Sequence, residues 1–156
     1  MKKIILIVLF ITLITGCENK LRSEADVELT KGSITSICKR KDNDNVITTT
    51  SNYDASGDIM NMKIETLYKF KDKESFDLYL NESKEAATMS NEEIVYKYAY
   101  NEKKMELLTV LAYTKLTLVN EVKPVYNVSS HIKTLESNGE TCEIIGTTRS
   151  ELGLSK

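Results

Sequence analysis

The clearest pattern in the chain lies between Met60 and Phe70, where Met60, Met62, Ile64, Thr66, Tyr68 and Phe70 alternate with Asn61, Lys63, Glu65 and Lys69. A period of two predicts a half-buried strand, with the even positions facing the core and the odd positions facing water. On that reading a charge at Ile64 is costly and a change at Glu65 is nearly neutral. Upstream, Ser33 to Lys41 holds Ile34, Ile37 and Cys38, Asp42-Asn43-Asp44-Asn45 is a polar break, and Val46 to Tyr53 is rich in Thr and β-branched residues. Two extended segments about such a cluster predict a hairpin. Asp54-Ala55-Ser56-Gly57 marks the next turn, before the alternating strand begins.

After Phe70 the period changes. Phe76, Tyr79, Leu80 and Ala87 recur at spacings near 3.6, and Asp72 stands where a helix cap belongs, so Lys73 to Thr88 reads as an amphipathic helix. Glu93 to Tyr100 returns to alternation, Asn101 to Lys104 turns the chain, and Met105 to Val119 reads as a long strand with Leu108, Val110, Ala112, Leu116 and Leu118 on its more apolar face. Leu107 and Leu111 on the other side suit a central strand covered on both faces. The single Pro124 precedes a short helix, expected from a Ser129 or Ser130 cap through Ile132 and Leu135 to a Gly139 stop. Cys142 to Ile145 then forms a short edge segment. These elements predict an α+β domain: an antiparallel sheet of five or six strands, two helices packed on one face, and the order βββαββα.

The first seventeen residues follow another logic. Lys2 and Lys3 precede an apolar run from Ile4 to Ile14, and Ile14-Thr15-Gly16-Cys17 closes it with small residues. Eleven residues of helix span about 16 Å, half of a hydrocarbon core, so the run is too short to cross a bilayer. The tetrapeptide resembles the bacterial lipobox, which implies cleavage before Cys17 and a diacylglyceryl group on its thiol. The expected organisation is a signal peptide over 1–16, a lipidated start and flexible tether over 17–32, and a single extracytoplasmic domain over 33–156. Without the leader the chain is 140 residues long with a net charge of −4, since Lys2 and Lys3 go with it. That mildly acidic, mixed surface has no electrostatic footprint for nucleic acid.

With Cys17 lipidated, Cys38 and Cys142 are left as an even pair in an exported chain. They read either as a disulfide, with α-carbons about 4.4 to 6.8 Å apart, or as two buried thiols. Two thiols and one distant histidine lack the ligand spacing of a zinc site. Asp42-Asn43-Asp44-Asn45 is not a calcium loop, because Ile47 stands where glycine is needed and Tyr53 where a bidentate glutamate is needed. His131, the only histidine, reads as a solvent-facing helix residue with no nucleophile to serve. Tyr96, Tyr98 and Tyr100 form a ladder on one strand face. It suits either the helix-covered core or a surface that stacks on a ligand.

Taken with the lipobox at Cys17, several motifs resemble those of the YehR-like lipoproteins: the hairpin containing Cys38, Gly57-Asp58-Ile59, Tyr68-Lys69-Phe70 and Gly139-Glu140-Thr141-Cys142. The resemblance spans about residues 34 to 145 and implies a small antiparallel sheet with helices, without an activity or a catalytic residue. The expectation is a non-enzymatic lipoprotein on the extracytoplasmic face of the cell membrane, needing no cofactor or metal, that binds another envelope component. The alternative is an accessory lipoprotein holding a small apolar ligand in a pocket lined by the tyrosines.

Overall fold

The polar clusters become the turns. In the computed structural model, which describes residues 20–116 and 126–155, β1 (Ile34–Asp42) and β2 (Asn45–Tyr53) form a hairpin about Asn43, whose φ is 55°. Asp54 closes the next turn by accepting from the backbone N–H groups of Ser56 and Asp58 and from the Ser56 hydroxyl. Gly57 sits there at φ 87°, a conformation that suits glycine. β3 (Ile59–Lys69) follows. Helix α1 (Lys73–Thr88) starts where expected, with the Asp72 carboxylate accepting from the Ser75 N–H at 2.8 Å. Strands β4 (Ile94–Asn101) and β5 (Glu106–Tyr113) flank a 3-10 turn, Glu102–Lys104. Helix α2 (Val128–Ser137) and strand β6 (Thr141–Ile145) complete the order βββαββαβ, in which the edge segment expected from Cys142 to Ile145 is the sixth strand that the order βββαββα left out. The α2 cap is Asn127, two residues before the expected serines. The predicted strand over Met105 to Val119 ends at Tyr113; Leu118, Val119 and Pro124 lie outside the described residues, as do the leader and Cys17.

All neighbouring strands pair antiparallel in the order β4-β5-β3-β2-β1-β6. The registers define a row across the sheet, Tyr96, Leu111, Ile64, Thr49, Cys38 and Cys142, which lies on one face because directly opposed residues point the same way. Both helices pack on that face. Phe76 and Leu80 of α1 meet Leu107, Tyr98 and Tyr68, while Val128 and Ile132 of α2 meet Tyr53, Ile59, Ile144 and Leu154. Cys38 and Cys142 are bonded, and their α-carbons lie 4.0 Å apart. The separation falls just under the usual range because the two residues face each other directly across neighbouring strands.

The opposite face corrects two expectations. The described part of the supposed tether, residues 20–32, is a strap laid across the sheet. After a helical turn over 20–24, Leu21, Ala25 and Val27 bury themselves against Leu67, Ala99, Leu108, Val110 and Ala112. Polar pairs pin it along its length. Arg22 meets Glu65 at 3.1 Å, Lys97 donates to the Asp26 carbonyl at 2.7 Å, and Asn61 donates to the Thr30 carbonyl at 2.8 Å. The odd face of β3 is therefore covered rather than wet: Asn61 is 1% exposed and Leu67 4%. Ile64 and its even neighbours are half-buried, as are Lys63 and Glu65.

Candidate functional site

The two helices stand over opposite ends of the sheet, α1 on β4 and β5, α2 near β1 and β6. Between them the middle strands are left uncovered. Ile47 and Thr49 of β2 and Met62, Ile64 and Thr66 of β3 floor a cleft of about 430 Å³. Tyr126, His131, Thr134 and Leu135 form its α2 wall, with Arg40 and Glu140 also in its lining. The floor carries only methyl, methylene, thioether and hydroxyl groups, a surface suited to an apolar ligand body.

Beneath the α2 wall runs a buried polar relay. Tyr53, 0% exposed, places its hydroxyl 2.9 Å from His131 Nδ1 and 3.0 Å from the Ser36 hydroxyl. Burial raises the Tyr53 pKa and lowers that of His131, so both groups are held neutral. Contrary to its sequence reading, His131 faces inward at 6% exposure. The reason is helix phase: Val128, His131, Ile132 and Leu135 share one face of α2 at i, i+3, i+4 and i+7, a spacing that is complete only when the histidine is counted with the apolar residues.

Near Arg40 and Glu140 the accounting of hydrogen bonds is incomplete. Among the described residues Glu140 Oε2 and Arg40 Nε are buried without a hydrogen-bond partner, although Arg40 Nη1 donates to the Asn138 carbonyl at 3.2 Å. Burial pushes the Glu140 carboxyl pKa up, while the Thr49 hydroxyl and the Arg40 charge pull it back. The arrangement can hold and orient a molecule. His131 Nδ1 is engaged by the Tyr53 hydroxyl, which is itself buried.

The residues expected to form a tyrosine-lined pocket are placed otherwise. The Tyr96 hydroxyl lies 3.2 Å from the Ser83 hydroxyl of α1, Tyr98 packs into the Phe76 and Leu107 cluster, and Tyr100 stands at the rim, its ring 6.3 Å from Phe76. The ladder is the floor under α1, and only Tyr126 among the tyrosines lines the cleft. A recess of about 470 Å³ also lies along the strap, where Lys63 pairs with Asp26 at 3.2 Å and Asn52 donates to the neighbouring Asn61 at 2.8 Å. It is the seam between strap and sheet. Among the described residues no group of three His, Cys, Asp or Glu side chains could hold a metal ion, and no helix is long and apolar enough to cross a membrane. Compared with known proteins, the chain matches no family model, no curated protein and no solved structure.

Proposed function

We propose that this chain is an exported lipoprotein, anchored through Cys17 to the outer face of the cell membrane, whose folded part is a non-catalytic binding domain. The observation that carries the binding role is the gap between the helices, where Ile47, Met62 and Ile64 stay half-exposed at the middle of the sheet. The Cys38–Cys142 bond supports export, because such bonds persist outside the reducing cytoplasm. It also leaves Cys17 as the odd cysteine, the one the lipobox assigns to lipid.

A cleft of about 430 Å³ is the size of small-molecule sites, which begin near about 300 Å³. That volume favours a ligand with an apolar body over a large protein face, and the cleft takes the place of the tyrosine pocket as its site. A photocrosslinking residue at Thr66, in the cleft floor, is compared in the native envelope with one at Lys84 on the exposed side of α1. A discrete adduct at Thr66 and none at Lys84 is the expected result, and its mass tells a small molecule from a protein. Equal labelling at both positions refutes the cleft as the binding surface.

A further inference from the structure

The strap changes what a lipid on Cys17 does to the domain. Only three residue steps separate Cys17 from Lys20, and a trans chain spans at most about 3.6 Å per residue, so the two α-carbons lie within about 11 Å of each other. Residues 20–24 are not a free leash: Leu21 is 4% exposed in the sheet-face cluster, and Arg22 is paired with Glu65. Lys20, Leu21 and Glu24 share a surface recess with Tyr100, Asn101 and Lys103. Lys20, the first described residue, thus stands beside the β4–β5 turn, at the end of the sheet where β3 leaves for α1, and the covalent reach from it bounds how far a lipid on Cys17 can be from that end.

We infer that this end of the sheet rests against the phospholipid headgroups, with the strands standing away from the bilayer and the Asp54–Asp58 turn at the distal end. The inference rests on the proposed lipidation of Cys17 and adds orientation and contact surface to it. β3 alone, at eleven residues, sets the two ends about 35 Å apart. The short reach of the anchor supplies the contact. Several basic residues there are matched locally, Lys69 with Glu106 at 3.5 Å, Lys73 with Asp77 and Glu102 at 3.0 and 3.1 Å, Lys20 with Glu24 at 3.6 Å, while Lys71, Lys103 and Lys104 are exposed with no ion pair among the described residues and add only a salt-sensitive attraction to it. In this posture the cleft, on the face opposite the strap, opens sideways along the membrane plane.

The test uses the full lipidated protein in phosphatidylcholine vesicles containing a headgroup-nitroxide lipid. Lys103→Cys and Ala55→Cys, both at exposed positions, are each labelled with a small fluorophore while Cys38 and Cys142 remain oxidised. Quenching at 103 is expected to exceed that at 55 at least threefold, at low and at high salt. Equal quenching, or loss of the difference in high salt, overturns the inference. In a second protein a twelve-residue Gly/Ser insert between Asn19 and Lys20 should bring quenching at 103 down to that at 55 while the protein stays on the vesicles. A preserved difference would show adhesion independent of the anchor's reach and likewise overturn it. Mass spectrometry of the amino-terminal peptide separates the two readings: no acyl chains on Cys17 defeats the anchor and the orientation together, whereas equal quenching on acylated protein defeats the orientation alone.

Discussion

Leu21→Ala separates a strap from a tether. On a flexible tether the substitution changes nothing, because the side chain is as solvated in the native state as in the unfolded one. In the structure Leu21 is 4% exposed against a cluster that includes Ala25, Val27, Leu67 and Leu108. Truncating a buried leucine to alanine costs about 2 to 5 kcal/mol, from lost transfer energy and the cavity left behind. Leu21 sits near the start of the strap, where the chain can relax into the gap, so the lower half of that range applies, about 2 to 3 kcal/mol. For a domain of this size each kcal/mol moves the melting temperature by about 4 °C, giving a fall of roughly 10 °C. Calorimetry or thermal circular dichroism of purified protein reads this directly, with exposed Glu28→Ala as the control. A Leu21→Ala protein that melts with the control refutes the strap, and with it the placement of Lys20 beside the β4–β5 turn.

Glu65→Lys, which alternation alone makes neutral, should instead cost about 1 to 3 kcal/mol, because the Glu65 side chain is 13% exposed between Arg22 and Lys63 and the change sets three cations together; urea denaturation measures it. Tyr53→Phe should lose about 1 to 3 kcal/mol by leaving His131 and Ser36 short of a buried partner, read from the same curves. Burial holds the folded His131 pKa below the ordinary value, so the unfolded chain binds the proton first as pH falls. His131 therefore contributes stability that is full above about pH 6.5 and is lost progressively below it. Melting temperatures at pH 8 and pH 5.5 should differ less in His131→Gln than in the parent protein. Replacing Cys38 and Cys142 by serine, which opens a link between residues 104 positions apart, should cost about 2 to 4 kcal/mol, and reductant should then leave the variant's melting temperature unchanged while lowering that of the parent.

Local spacing alone determined the hairpin over Ile34 to Tyr53, the strand to Lys69, and the helix from Lys73 with its Asp72 cap, because each is a pattern written within one element and bounded by polar turn residues. Cysteine count marked Cys38 and Cys142 as a candidate pair, and the facing register of β1 and β6 decided between a bond and two buried thiols. What covers each face was decided only in three dimensions. A period of two says that the two sides of β3 differ, but it does not say that Leu21, Ala25, Val27 and Leu29 will arrive to bury the side carrying Asn61, Lys63 and Glu65. Those four residues step by four, then two, then two, as a helical turn gives way to extended chain, so neither period is sustained long enough to announce them. The spacing of Val128, His131, Ile132 and Leu135 puts His131 on the packed side of α2, but that this side meets the buried Tyr53 was decided only in three dimensions. The cleft is legible in no single element. It exists because two helices, each packed for its own reasons, come to rest at opposite ends of the sheet and leave Ile47, Met62 and Ile64 between them.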